Sequence, residues 1–196
     1  TEVAPDEAIV TIGVVTTAQT ASEAQTNNAA TATAVQQKIL AAGIAAKNIR
    51  TSQYSVYPVY NDQEKNGRAP SITGYRVTNT ILVDVTDLSL LGTVIDSSLA
   101  AGANQISGLN FKKQDETQLS QSVLQMAVKD ATLKAEAIAS SLNRSLGRAV
   151  TVTENGITVQ APDMARYMSK NESLSTPLNS GSIQINGSVT VVFEIR

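Results

Sequence analysis

The stretch Ser182-Ile183-Gln184-Ile185-Asn186-Gly187-Ser188-Val189-Thr190-Val191-Val192-Phe193-Glu194-Ile195 alternates apolar and polar residues almost without interruption. Ile183, Ile185, Val189, Val191, Phe193 and Ile195 fall on one side of an extended chain, and Ser182, Gln184, Asn186, Ser188, Thr190 and Glu194 on the other. A period of two marks a strand with one face in a core and one in water. The same period recurs upstream. Ala8, Val10, Ile12 and Val14 predict a first strand, and Tyr54, Val56, Pro58 and Tyr60 lie on one side of a second. Pro58 lacks an N–H for a ladder, which places that end at a sheet edge or bulge. Val77, Ile81, Val83 and Val85 belong to a third strand running from Tyr75, Ile106, Leu109 and Phe111 to a fourth, and Val150 and Val152 to a short fifth. The polar connection Asn61 to Pro70 joins the second and third into a hairpin.

Between these strands the period changes to that of a helix. Thr20-Ala21-Ser22-Glu23 has the form of a capping box and opens an Ala-rich run to about Ala42, with Ala24, Thr31, Val35 and Ile39 facing inward and Gly43 as a stop. Asp87 caps a shorter helix with the stripe Leu88, Leu91, Ile95 and Leu99, ended by Gly102. Asp115 opens a third, with Leu119, Val123, Met126, Ala127, Leu133, Ala137 and Leu142 on its buried side and Gly147 as terminator.

The order strand, long helix, strand, loop, strand occurs twice, at about 8–85 and 105–195, with the short helix 87–101 between. Gly74 to Val85 lines up loosely with Gly181 to Val191. This predicts an α+β fold of two strand–helix–strand–strand pseudo-repeats, forming one domain over 1–196 with a mixed or antiparallel sheet and helices packed on one face. Exposed sheet edges then favour association with further copies. The interval 160–181, rich in Ser, Asn and Pro, is long for a connection inside a compact domain, which predicts a functional or disordered loop.

The 196 residues are 42% apolar and 16% charged, with net charge −2. That suits a globular domain with a substantial core. Scattered basic residues give no footprint for a phosphate backbone, so nucleic acid is not expected as a partner. No run approaches the roughly 20 apolar residues of a membrane-spanning helix. Cys, His and Trp are absent, which removes disulfides, thiolate nucleophiles, Cys/His metal sites and the usual side chain for proton transfer near neutrality. Accordingly no catalytic residue, cofactor or metal site is expected.

Each potential chemical group has a plainer reading. Asp84 and Asp87 lie close together, but Asp87 is explained as a helix cap and Asp84 as a polar-face strand residue. Asp6 and Glu7 read as turn or edge charges, and Lys112-Lys113 before Asp115-Glu116 as a solvated strand end. A serine nucleophile has only lysine to serve as its base, and no Ser-x-x-Lys opens a helix. Tyr54, Tyr57, Tyr60 and Tyr75 concentrate the aromatic character in one hairpin, where Arg76 stands beside Tyr75. Tyrosine joins apolar area to a hydrogen-bonding tip and is favoured at interfaces. With Met164, Tyr167 and Met168, apolar residues in a polar loop, these form the candidate interaction surface.

Several phrases, in order, carry a resemblance. They are Pro5-Asp6 before the first strand, Ala24-Gln25, Leu40-Ala41-Ala42-Gly43-Ile44, Ile49-Arg50-Thr51-Ser52, Tyr57-Pro58-Val59-Tyr60 and Gly74-Tyr75-Arg76-Val77-Thr78-Asn79. Leu91-Gly92, Ala101 through Phe111, Ala127 through Ala131, Lys134-Ala135 and Leu146-Gly147-Arg148 continue the series over nearly the whole chain. The chain resembles the SIMPL-domain family, a group of envelope proteins with no settled activity and no catalytic set to carry over. The resemblance implies a periplasmic or cell-surface location, behind a signal peptide or anchor removed ahead of Thr1. The expectation is therefore a non-catalytic, self-associating envelope protein. The alternative is a module in which the tyrosine hairpin and residues 160–181 bind a small molecule or cell-wall fragment.

Overall fold

The computed structural model describes residues 1–61, 70–160, 178 and 180–196. The fold is α+β with every strand pairing antiparallel, and the strands divide into two sheets. Two compact units contain them, one built on residues 6–112 and the other on residues 1–5, 113–160 and 180–196.

In the unit of residues 6–112, β2 (Glu7–Ala18), α1 (Ala21–Ala41), β3 (Ile49–Tyr60), β4 (Ile72–Val85), α2 (Leu91–Ala100) and β5 (Gln105–Lys112) follow in order. The sheet runs β3-β4-β2-β5. Ala8, Val10, Ile12 and Val14 pair with Val85, Val83, Ile81 and Asn79, so the apolar rows of β2 and β4 share one face. Val35 and Ile39 of α1 and Leu91, Val94 and Ile95 of α2 close over that face in one core. The capping box forms, with Thr20 Oγ1 accepting from the Glu23 N–H at 3.2 Å.

Two inward stripes are shifted from expectation. On α1 the buried residues are Ala24, Asn28, Ala32, Val35 and Ile39, with Ala32 inside and Thr31 at the margin. In the second helix Leu99 is exposed while Val94 and Ser98 are buried. A 3₁₀ turn at Leu88–Leu90 carries the Asp87 cap. The α-helical stripe then runs through Leu91, Val94, Ile95 and Ser98, which leaves Leu99 outside it.

The second unit has β1 (Glu2–Val3), α3 (Glu116–Ser141), β6 (Leu146–Gln160) and β7 (Ile183–Ile195), with strand order β1-β7-β6. Ile183, Ile185 and Val123 form its core, with Val3, Leu119 and Ile157 packed against them. A Cβ on Gly187 would lie 2.6 Å from Val123 Cγ1, so only glycine admits the helix there. Along α3 the expected stripe is not covered: Val123 and Ala139 are buried, but Met126, Leu133 and Leu142 are 46%, 55% and 59% exposed. A helix of 26 residues is about 39 Å long, and the apolar cluster of this unit meets it only near its start, at Leu119 and Val123.

All three helices close alike. Gly43, Gly102 and Asn143 take positive φ, and the next residue's N–H donates back to Ile39, Ser98 and Ala139 respectively. This is the Schellman pattern. Asn143 fills the position expected of Gly147, which lies inside β6 instead. The fifth strand is not short but fifteen residues long. Three register shifts along β6 break its alternation, which is why only Val150 and Val152 stood out.

Candidate functional site

β3 is an edge strand, and its residues are exposed or half-buried on both faces. The register shifts beside β4 fall between Thr51 and Gln53 and between Val59 and Tyr60, next to Pro58. The hairpin is closed by Asn61, whose N–H donates to the Ser71 carbonyl at 3.0 Å while its Oδ1 accepts from the Ser71 N–H at 2.8 Å. Directly paired residues of an antiparallel ladder share a face. Tyr54 pairs with Asn79, Pro58 with Tyr75 and Tyr60 with Ile72, which sets Tyr54, Tyr60 and Tyr75 on the same face as the buried Val77. Tyr57 pairs with Arg76 on the opposite face. The pleat thus splits the tyrosines: Tyr54, Tyr57 and Tyr60 are 52%, 61% and 54% exposed, Tyr75 is half-buried and Arg76 is exposed. Met164, Tyr167 and Met168 lie outside the described residues.

The acidic residues singled out from the sequence are engaged separately. Asp84 pairs with Arg50 at 3.1 Å across the β3–β4 edge. Asp87 accepts from the Ser89 hydroxyl at 2.6 Å and the Ser89 N–H at 3.0 Å. The hydroxyl first, then the N–H, hold its carboxyl below the ordinary value. Asp115 caps α3 through the Thr117 N–H at 2.9 Å. Glu7 departs from the expected edge charge: it is buried, and Lys112, its partner across the β2–β5 ladder, reaches it at 3.4 Å. Lys112 is therefore a pairing residue.

Three asparagines matter more than the sequence suggested. Asn28 Nδ2 donates to the Val14 carbonyl at 2.9 Å and to that of Val77 at 3.4 Å, which ties α1 to both central strands. Its Oδ1 and that of Asn79 are buried with no partner among the described residues. A cavity of about 10 Å³ lined by Ile12, Val14, Ala32, Val35, Asn79 and Ile81 lies beneath α1, room for one water at most and far below a ligand pocket. Asn104 receives the Val15 N–H on its Oδ1 at 2.8 Å and donates Nδ2 to the Val15 carbonyl at 2.7 Å. Its side-chain amide thereby extends the β5 ladder along β2 as a further peptide would. The spacing Ala24, Asn28, Ala32 signals the first of these residues; the other two carry no local signal.

Among the described residues no helix is long and apolar enough to cross a membrane, and no three His, Cys, Asp or Glu side chains come together as a metal site would require.

The chain is 32% identical over 199 aligned positions to the 26 kDa periplasmic immunogenic protein of Brucella melitensis, covering 98% of this chain and 80% of that protein. The Brucella abortus protein of the same name matches equally. The uncharacterized protein YggE of Escherichia coli K12 is 26% identical over 156 positions, covering 78% of this chain and 62% of that protein. Residues 1–193 match the SIMPL family, described as a protein of unknown function (DUF541). With the match running through both sheets and all three helices, the chain belongs to the SIMPL family.

Proposed function

We propose that this protein is a non-catalytic component of the bacterial cell envelope, periplasmic or surface-exposed, that acts by assembling with copies of itself. The observation that carries this reading is its exposed apolar surface. Leu133, Ile138 and Leu142 on α3, Val150 and Val152 on β6, and Tyr54, Val56 and Tyr60 on β3 all stand largely in solvent. Large apolar side chains held out in water are a mark of a protein contact when several stand on one unit, as on α3 and β6. The periplasmic name of the Brucella relative supports the compartment. Light scattering on the eluting protein tests the assembly: a mass of two or more chains at micromolar concentration is expected, and a strict monomer at high micromolar concentration overturns it. We further propose that residues 1–196 fold as one domain, which predicts a single calorimetric transition.

A second reading is favoured by Tyr54 and Tyr60, half-exposed on one face of the hairpin. Such a face can lie flat against a sugar ring of a cell-wall fragment. The chain has no tryptophan, so its emission comes from five tyrosines, of which Tyr54 and Tyr60 lie on this face. Saturable quenching by soluble peptidoglycan fragments, lost in Tyr54→Ser with Tyr60→Ser, is the expected result; unchanged emission removes the reading.

A further inference from the structure

The seam between α1 and its sheet is built almost wholly from hydrocarbon. β2 offers it Ala8, Val10, Ile12 and Val14, and β4 offers Val77, Ile81, Val83 and Val85. Asn79 stands in the β4 row between Val77 and Ile81, directly paired with Val14. The inward row of α1 is Ala24, Asn28, Ala32, Val35 and Ile39, with Asn28 its one polar member. Asn28 is fully buried, and its Nδ2 donates to the carbonyls of Val14 and Val77. One of these residues is paired with Asn79 and the other lies two positions before it on β4. The two carboxamides therefore meet the seam at the same level.

What they present to it is two acceptors. The donors of Asn28 face the sheet, which identifies its other amide atom as Oδ1, and the Oδ1 of Asn79 is buried as well. Neither oxygen has a partner among the described residues. Native interiors seldom leave such atoms without a donor. The cavity of about 10 Å³ lies at this place: Asn79 lines it, and so do Ala32, one helical turn beyond Asn28, and Val35.

The chemistry of the wall restricts what can sit there. Carboxamide oxygens only accept, so the occupant must supply two hydrogens. The volume holds one heavy atom. The remaining lining is aliphatic, so the occupant must be neutral. A calcium ion would need six to eight oxygens around it. From this we infer that one water molecule is a built-in member of the α1 seam, giving one hydrogen to Asn79 Oδ1 and the other to Asn28 Oδ1. Two protein partners lie within the usual two to four of a buried water. The bridge has a consequence for docking. Aliphatic side chains pack against one another in many registers, whereas these two amides are satisfied together in one, so the hydrated pair fixes where α1 rests on β2 and β4.

Water–protein cross-relaxation in the NMR spectrum of the natural chain tests the site. The methyl groups of Ala32 and Val35 should show cross-peaks to water whose laboratory-frame and rotating-frame signs are opposite, the mark of a water held longer than the protein tumbles. Asn79→Leu fills the space and removes one acceptor, so both cross-peaks should vanish in that variant. Natural-chain spectra without these cross-peaks overturn the inference, and so do cross-peaks that persist in Asn79→Leu, because they arise elsewhere. A crystal structure of the natural chain measures the same site independently. One water oxygen at about 2.7–3.2 Å from both Oδ1 atoms is the expected result. A water that touches Asn79 alone, or an Asn79 amide turned so that its Nδ2 bonds Asn28 Oδ1 directly, overturns the bridge. If Asn79→Leu fails to fold, the crystal structure decides.

Discussion

β4 and β7 occupy matching places in the two halves of the chain, yet they live in different surroundings. β4 is flanked by two long strands and covered by α1 and α2, and Val77, Val83 and Val85 are fully buried. β7 has one long neighbour and one helix, and only Ile183 and Ile185 at its start reach that state. Equal alternation in two strands thus leads to unequal burial. A residue's contribution depends on how many layers and lanes close around it, because hydrophobic stabilisation follows the area removed from water.

The largest test of this contrast is a pair of truncations on the long helices. Ile39→Ala on α1 should lower unfolding free energy by about 2–5 kcal/mol, whereas Leu133→Ala on α3 should change it by less than about 0.5 kcal/mol. Urea titrations of the two variants measure both, and equal losses would abolish the distinction drawn between the halves.

Next in size is Asn28→Leu. It strips the amide from the Val14 and Val77 carbonyls and should cost about 1–3 kcal/mol, with faster hydrogen exchange in β2 and β4. A neutral or stabilising result would mean that burying the Oδ1 of Asn28 already offsets its bonds. Asp115→Ala removes the cap of α3 and should cost about 1 kcal/mol, visible first as faster exchange at Thr117. A loss spread evenly over the molecule would show that α3 is held more firmly than its exposure implies.

The smallest effect belongs to Asp87. Its folded-state pKa is lowered from 3.8 by the Ser89 hydroxyl and N–H. The contribution is therefore present above the unfolded value and lost as pH falls through the folded one. The gap in stability between the natural chain and Asp87→Ala should be constant near neutrality and close below about pH 4. A gap that widens in acid would contradict the cap.

The tyrosine hairpin shows where legibility stopped. The alternation of Tyr54, Val56, Pro58 and Tyr60 correctly placed a strand with an irregular edge at Pro58, but Tyr57 and Arg76 belong to the opposite face. The phase of the pleat, set by pairing with β4, decides which residues of β4 join each face. Asn104 was invisible for a related reason, since its side chain acts as a ladder member for a strand 89 positions away.

Strand periods, helix caps and the glycine stops at Gly43 and Gly102 depend on residues two to five positions apart, so the sequence alone determined them and with them the α+β class. The two sheets, the pairing of β5 with β2, the bulges of β6, the buried Glu7–Lys112 pair and the bare stripe of α3 came only from the tertiary structure. Each depends on which distant segment supplies the next lane or layer, and local periodicity, which repeats in both halves, holds no information about that choice.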